Sequence, residues 1–367
     1  MNKKLKVLPV LAMGLMLVAC NGTGTSSSTK PTSKNDEVNF TLKVGSYVAL
    51  GSNANQIEVS TAAVILKEDK IVDAYFDVLQ APFKIESTSD KKTEKVTYTV
   101  SLDTTTNQTK DAGDKVIETK QELKTRYGMA STAAEGEWNV QAANFAKYTV
   151  GKTIDEVTSK NYKSHYNKDG TEVVAGCSIS QKNFTTALKV ITDTKTFKAP
   201  AGKVSAGLGY KVSALSDNVL TFTLAGSATD KDGKIYETSI NAYQIPVTVD
   251  GSSVTSPKIA IDTSKKQATV ANFKDHTVAS GENTYYTSVL SKRELKELYA
   301  MKENNEDAQK MEWYNQANNF AKYAKGKIAS EIAGKTYKSN HNANGTVEVP
   351  GCTITMEDFA VAIGKSA

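Results

Sequence analysis

Cysteine and histidine are scarce in this sequence, with three of each among 367 residues. Cys20 belongs to an N-terminal segment described below, which leaves Cys177 and Cys352 for any folded part. Two cysteines are too few for a disulfide-stapled fold, and there is no Cys-x-x-Cys pair. The histidines do not group with cysteines or acids at ligand spacing, so we expect neither a metal site nor a haem. His165 and His341 lie in polar stretches and are expected to be solvated.

The sequence also lacks an excess of charge and the common catalytic motifs. Its formal net charge is +5, and this falls to +2 when the three lysines of the first 20 residues are removed. A nearly neutral chain without a basic stripe interleaved with aromatic residues argues against a nucleic-acid partner. There is no Gly-x-Ser-x-Gly, P-loop or His-Glu-x-x-His motif. We therefore expect a carrier or a binding protein and not an enzyme.

The N-terminus has the pattern of a targeting segment. Lysines at positions 3, 4 and 6 precede an apolar run, Val7 to Ala19, that is too short to span a bilayer well. It ends in Leu17-Val18-Ala19-Cys20, which looks like a bacterial lipobox. The resemblance implies that residues 1–20 are a lipoprotein signal peptide, with cleavage before Cys20 and lipidation of its thiol. An ordinary secretory signal or a short anchor is the alternative.

The residues after Cys20 predict how the protein is held. Residues 21–37 are rich in Ser, Thr, Gly and Lys, a composition that cannot bury a core. We interpret them as a flexible linker between the lipid and the folded part. The mature protein is therefore expected on the extracytoplasmic face of the cell membrane, attached to the membrane by its lipid anchor.

The rest of the chain contains an internal duplication. Residues 137–188 align with residues 312–363 without a gap, with 25 identities in 52 positions. The similarity weakens upstream, but Gly45 still matches Gly209. We predict two domains of one fold, at residues 38–194 and 198–367. Because Cys177 and Cys352 hold matched positions in the two copies, a disulfide between them is disfavoured, although the sequence leaves it open.

Each copy changes its periodicity in the middle. The first part is rich in Val, Ile, Thr and Tyr and predicts strands, whereas the later part has helical spacing. We predict an α+β fold, an antiparallel sheet with helices packed on one side. Trp138 and Trp313 are expected to pack helix against sheet, with flavin stacking as the alternative. In the first copy we expect strands at 41–50, 56–67, 70–79 and 96–102, and helices at 120–127, 137–149 and 154–159.

A Gly-Cys-hydroxyl motif recurs where a strand gives way to a helix in each copy. The two stretches are Ala175–Ser180 and Pro350–Thr355. The first amide groups of a helix lack intrahelical acceptors and carry partial positive charge, so a phosphate is stabilised there. Ser180 and Thr355 are most simply N-cap residues of the following helices. Capping does not explain why glycine, cysteine and a fourth-position hydroxyl occur in both copies.

These motifs resemble the FMN-binding domain family. That family has a hairpin with an Asp-Gly-Lys-Ile turn, here within Lys231–Ile235, and a later [Ser/Thr]-Gly-Ala-[Ser/Thr]-x-[Ser/Thr] motif. Here Ala175 and Pro350 stand at its first position, and cysteine replaces alanine at its third. The resemblance implies that an FAD:protein FMN transferase attaches FMN through its phosphate to the fourth-position hydroxyl. The implied cofactor-binding residues are Gly176, Cys177, Ser178 and Ser180 in the first copy, and Gly351, Cys352, Thr353 and Thr355 in the second.

The whole chain is similar to the two-domain flavinylated lipoproteins of Gram-positive flavin-based extracellular electron transfer. The resemblance implies a carrier that takes electrons from a membrane quinone oxidase or NADH dehydrogenase and passes them to extracellular acceptors. The alternative is a non-redox binding or adhesion lipoprotein in which each motif only starts a helix. Apolar peptides cut from such signal segments can also act as secreted pheromones, and Val7 to Ala19 has that composition.

Overall fold

The computed structural model describes residues 37–51, 55–90, 92, 95–113, 116–213, 215–250, 256–262, 289–304 and 311–367. Cys20, the predicted signal peptide and all of the predicted linker except its last residue lie outside the described residues. Residues Glu37–Ala367 form one compact unit. Within the described part of the chain, no helix is both long and apolar enough to cross a membrane.

The first repeat consists of an antiparallel sheet followed by short helices. Its strands follow the order β4-β3-β2-β1-β5, and β5 comes from the segment after the last helix of the repeat. The strands are β1 (Glu37–Leu50), β2 (Gln56–Lys67), β3 (Lys70–Asp90), β4 (Lys95–Leu102) and β5 (Ile191–Pro200). The helices are α1 (Lys120–Leu123), α2 (Trp138–Thr149), α3 (Ile154–Thr158) and α4 (Lys182–Lys189), with 3-10 turns at Lys124–Tyr127 and Met129–Ser131.

The second repeat has the same order of elements, and its sheet has the order β6-β7-β8-β9. Its strands are β6 (Ser205–Val212), β7 (Val219–Thr229), β8 (Ile235–Asp250) and β9 (Lys258–Ile261). Its helices are α5 (Lys292–Leu295), α6 (Met301–Asn304), α7 (Trp313–Ala324), α8 (Ala329–Ala333) and α9 (Glu357–Lys365), with a 3-10 turn at Lys296–Tyr299. The predicted mixture of antiparallel sheet and helix is therefore confirmed.

Side-chain alternation along the strands divides the core into layers. In β2, Val59 and Ile65 belong to a cluster that joins the two sheets, whereas Val64 belongs to the cluster beneath the helices of the first repeat. The helices of the second repeat form a third cluster on their own sheet. Successive side chains of a strand point to opposite faces, so each sheet is apolar on both faces. The result is a stack of helices, sheet, sheet and helices, with helices on one side of each sheet as predicted.

The matched glycines explain how the last helix of each repeat approaches its sheet. A Cβ on Gly45 would overlap the carbonyl oxygen of Ala187 in α4. A Cβ on Gly209 would overlap the carbonyl oxygen of Ala362 in α9 in the same way. The absence of a side chain at these positions lets the helix backbone lie directly on the first strand. The equivalence inferred from the sequence therefore extends to backbone packing.

Polar side chains lie between the two sheets as well. Tyr243 is buried, and its hydroxyl is hydrogen-bonded to Ser46 Oγ at 2.6 Å, while the Tyr210 hydroxyl is hydrogen-bonded to Thr61 Oγ1. Asp77 is 2% exposed, and its Oδ1 accepts from the backbone N–H groups of Val78 and Gln121. Burial raises the pKa of the Asp77 carboxyl to about 7.

We predict that Gly45→Ala lowers the free energy of unfolding by about 1–3 kcal/mol, because α4 must move away from β1 to admit the methyl group. Urea unfolding measures the change. Gly334→Ala is the matched control, since its Cβ would meet only Ser330 O at 3.6 Å. The control should change the free energy by less than about 0.5 kcal/mol. Equal losses in the two variants would contradict close helix packing at Gly45.

We also predict a pH-dependent gain in stability from Asp77→Asn. The pKa of this carboxyl is raised from 3.8 to about 7 in the folded protein, so the folded state binds the proton more tightly. Wild-type stability therefore declines as the pH rises from about 4 to about 7. An asparagine side chain does not titrate, so it contributes no pH dependence to stability. The second repeat has Asn241 at the equivalent position, and its Oδ1 accepts from the backbone N–H groups of Ala242 and Arg293.

The stability difference between Asp77→Asn and wild type should be near zero at pH 4. At pH 8 it should reach about 2–4 kcal/mol in favour of the variant. Each unit of the pKa shift contributes about 1.4 kcal/mol, and relaxation of the protein around the charged carboxylate reduces the total. Thermal or urea unfolding across this pH range gives the measurement, with Asp169→Asn as the exposed control. A difference that does not vary with pH would show that Asp77 is ionised in both states.

Candidate functional site

The two Gly-Cys-hydroxyl loops adopt the same conformation in the two repeats. Gly176 and Gly351 have φ angles of +67° and +70°, in the region that favours glycine. Their carbonyl oxygens accept hydrogen bonds from Asn144 Nδ2 at 2.8 Å and from Asn319 Nδ2 at 2.7 Å. A Cβ at either glycine would collide with that asparagine. The glycine is therefore needed for the turn and for the approach of the helix side chain.

A buried glutamine holds the hydroxyl residue of the first loop. Gln141 Oε1 accepts from the backbone N–H of Ser178 at 2.8 Å, from Ser178 Oγ at 3.2 Å and from Ile179 N–H at 3.1 Å. Gln141 is fully buried, and its Nε2 donates to the carbonyl oxygen of Gly136 at 2.9 Å. The carboxamide thus cannot turn without losing bonds at both ends.

The second loop repeats this arrangement. Gln316 Oε1 accepts from the Thr353 N–H at 2.8 Å, from Thr353 Oγ1 at 3.4 Å and from the Ile354 N–H at 3.3 Å. Gln316 is 1% exposed, and its Nε2 donates to the carbonyl oxygen of Met311 at 3.4 Å. The amides beside each hydroxyl therefore already have a protein acceptor, which differs from the expectation that a phosphate would be their partner.

Ser178 and Thr353 themselves are half-buried. Their carbonyl oxygens accept from the backbone N–H groups of His165 and Asn340, at 2.7 and 2.8 Å. The loop is thus anchored on both sides of the side chain. His165 and His341 are exposed, as predicted.

The N-cap prediction for Ser180 and Thr355 is wrong. α4 begins at Lys182 and α9 at Glu357, and the residues that precede them, Gln181 and Met356, are in the right-handed helical region without a side-chain capping bond. Gln181 is buried and donates from Nε2 to the carbonyl oxygen of Cys177 at 3.2 Å. Burial of these two residues extends the turn beyond the hydroxyl positions, so the helices start later than the capping pattern indicates.

Cys177 and Cys352 are buried free thiols. Burial raises the pKa of the Cys177 thiol to about 11 and that of Cys352 to about 12. A thiol held this far from ionisation is a poor nucleophile at neutral pH. The two cysteines act as small apolar residues under each loop, and they are not joined by a disulfide.

The tryptophans pack helix against sheet, as predicted. Trp138 is 4% exposed and meets Phe184 edge-on, with ring centroids 5.6 Å apart. Trp313 is 3% exposed and meets Phe359 at 5.5 Å in the same way. Neither indole presents a face on which a flavin could stack. Each is also approached by a lysine of the preceding short helix, Lys120 or Lys292.

Sequence reasoning missed Gln141, Gln316, Asn144 and Asn319 as site residues. A signal was available, because both pairs are identical in the two copies and lie three residues apart on one helical face. Identical polar residues on the buried side of a helix indicate a shared hydrogen-bonding task. In the ranges that the structure describes, no group of three or more His, Cys, Asp or Glu side chains could hold a metal ion.

Comparisons of this chain with protein-family models, with curated proteins and with solved structures gave no match.

We predict that Gln316→Met destabilises the protein by about 1–3 kcal/mol, because the N–H groups of Thr353 and Ile354 lose their acceptor. Urea unfolding monitored by tryptophan fluorescence checks this. The matched control is Asn315→Met on the exposed side of the same helix, which should be within about 0.5 kcal/mol of wild type. If both variants unfold like wild type, the carboxamide does not support the loop.

Proposed function

We propose that this protein is a flavin carrier anchored by lipid at Cys20 on the outer face of the cell membrane, with FMN joined through its phosphate to Thr353 and to Ser178. One observation carries the proposal. The same half-buried hydroxyl occurs in both repeats, on a loop that the same glutamine and asparagine contacts hold in one conformation. A purely structural turn does not require a hydroxyl at that position. FMN would supply the redox chemistry.

The residues of the loop have definable roles in such an attachment. In such an attachment the hydroxyl oxygen of Thr353 or Ser178 would displace AMP from FAD on the transferase. A phosphoanhydride bond would break, a phosphoester would form, and the hydroxyl proton would be lost. Gln316 and Gln141 orient the hydroxyl by accepting from it and from the adjacent N–H groups. Because those amides are already paired, they are not the ligands of the phosphate, and the covalent bond carries the attachment.

A flavin held in this way would lie against the surface. Two open cavities in the described part of the chain are lined by residues outside these loops. The tryptophans are buried, so they do not form a stacking platform. Surface placement suits a carrier that must meet a membrane quinone oxidase or NADH dehydrogenase as donor and an extracellular acceptor. The lipid and the linker at 21–37 would keep the carrier concentrated near its donor.

A non-redox binding lipoprotein is the second candidate, favoured by a specific observation. Each glutamine already satisfies the loop amides, as a purely structural turn requires. In this reading the hydroxyls remain unmodified, and the signal segment Val7 to Ala19 could still be released as a peptide pheromone.

Intact-mass spectrometry of the protein, coexpressed with an FMN transferase and exported, tests the proposal. We expect the wild type to carry up to two FMN groups, Thr353→Ala to lose one, Ser178→Ala to lose one, and the double variant to carry none. Ser330→Ala is the control, since Ser330 is exposed and lies in α8, outside both loops. An unmodified wild-type mass, beside a transferase shown to be active on another substrate, would exclude the flavin carrier.

A further inference from the structure

The two sheets differ at one edge. In the first repeat β5 pairs along the outer edge of β1, from Glu37↔Pro200 to Gly45↔Ile191. The equivalent strand of the second repeat is β6, since Gly209 corresponds to Gly45. In the part of the chain that the structure describes, no strand pairs with the outer edge of β6. Among the described strands, β6 is therefore an edge strand, and β5 shows how a further strand is held at the equivalent edge of the first repeat.

β5 places two side chains in slots between the sheets. Asp193 accepts from Ser239 Oγ at 2.6 Å, and its Oδ2 lies 3.3 Å from Arg293 Nη1. Four residues later, Phe197 stacks on Phe40, with ring centroids 5.6 Å apart, and on Tyr236 at 6.3 Å. Residues four apart on a strand face the same side, about 13 Å from each other. β5 is thus held by one ionic slot and one aromatic slot.

At the edge of β6, an open cavity of about 320 Å³ corresponds to the ionic slot. Its lining includes Tyr75, Asp77 and Gln121. By the alignment of the repeats these correspond to Ser239, Asn241 and Arg293 in turn. Leu208 of β6 also lines this cavity, and its counterpart in β1 is Val44, the residue that pairs with Asp193.

A second cavity of about 330 Å³ corresponds to the aromatic slot. It is lined by Val204 and Val72, the counterparts of Phe40 and Tyr236, and by Phe40 itself. Smaller residues on both walls leave room for a large apolar side chain. Ala206 lies in β6 between the residues that line the two cavities. Its backbone N–H donates to Asp73 Oδ2 at 2.7 Å, so this N–H group of the edge already has an acceptor.

The first cavity lacks the guanidinium of its counterpart and has a buried carboxyl group instead, although its lining as a whole contains both acids and lysines, Lys365 among them. Asp193 of β5 meets the guanidinium of Arg293, whereas the cavity has the neutral Gln121 there and the carboxylate of Asp77 in place of Asn241. Glu122 adds a second carboxylate and is paired with Lys365 at 2.9 Å. Lys124 lines the cavity as well. A cationic side chain would pair with the buried Asp77, while an aspartate would face it unfavourably.

We propose that the outer edge of β6 binds an extended peptide segment of another polypeptide, with a lysine or arginine in the first cavity and a large apolar or aromatic side chain four residues later in the second. Backbone bonds to β6 supply a sequence-independent part of the binding, and the two cavities supply the selectivity. This surface is separate from the Gly-Cys-hydroxyl loops, and the proposal does not depend on flavin attachment.

The natural strand β5 provides the probe. Fluorescein-labelled peptides of the Ile191–Pro200 sequence, with and without Asp193→Lys, are titrated with the mature chain at about pH 8, above the pKa of Asp77, and fluorescence anisotropy reports binding. We expect the Asp193→Lys peptide to bind about tenfold more tightly than the unaltered peptide, because like charges oppose the aspartate at Asp77. Adding Phe197→Ala to the lysine peptide should weaken it about tenfold, through loss of the aromatic contact.

A double variant of the protein makes the test reciprocal. Asp77→Asn together with Gln121→Arg installs the residues of the second repeat, and it should reverse the preference toward the unaltered Asp193 peptide. Circular dichroism and urea unfolding establish that this variant is folded. The second variant is Asp77→Asn alone, which should abolish the preference without reversing it. Binding of neither peptide, equal binding of both, or a preference that the variants leave unchanged would overturn the proposal. A concentration-dependent dimer that excludes the peptide in light scattering would also overturn it, because a second copy would then occupy the edge.

Discussion

Each of the two sheets is apolar on both faces, and the architecture follows from that constraint. A sheet with one solvated face could form a domain by itself, but here the inner faces contribute Val59, Ile65, Leu208, Phe222 and Leu224 to one continuous core. Exposing those residues to water would cost about 1.5–3 kcal/mol for each large side chain. The two repeats are therefore parts of one compact unit, and β5 ties them together by pairing with β1 while Asp193 contacts Arg293 of the other repeat.

The two hydroxyl loops depend on this core only indirectly, through helices that pack on the outer faces. Gln141 and Gln316 project from the start of α2 and α7, whose apolar sides are fixed by Phe145 and Phe320. A fully buried carboxamide with partners at both ends is a rigid support, because any rotation leaves buried polar atoms unpaired. The hydroxyl of each loop is consequently held in a defined place although the loop lies at the surface.

The duplication makes the differences between the repeats informative. Gly45 and Gly209 are the same in both because the helix backbone packs directly on the strand at these positions. Where the residues differ at one position, as with Asp77 and Asn241 or Gln121 and Arg293, the surroundings differ too. The second repeat buries its cation against Asp193 of β5, whereas the first repeat leaves a buried carboxylate beside an open cavity.

The sequence by itself determined the repeat and several of the local elements, whereas β3 extends to Asp90, well beyond its predicted end at 79, and the predicted helix 120–127 is α-helical only to Leu123. Alternation and helical spacing placed β2 at its observed limits and α2 within one residue, because these patterns record which side of an element faces apolar neighbours. The matched glycines and the packing role of the tryptophans were also readable, since both depend on residue type at one position.

Only the tertiary structure decided how these elements meet. The late starts of α4 and α9 depend on burial of Gln181 and Met356, which overrides the local capping pattern around Ser180 and Thr355. The glutamine support joins residues 37 positions apart in the chain. The shared core and the open edge of β6 depend on which faces and edges are covered by distant segments. Local sequence patterns indicate the conformation that a residue favours. The helix starts, the glutamine contacts and the covered faces and edges depend instead on which distant residues pack against it.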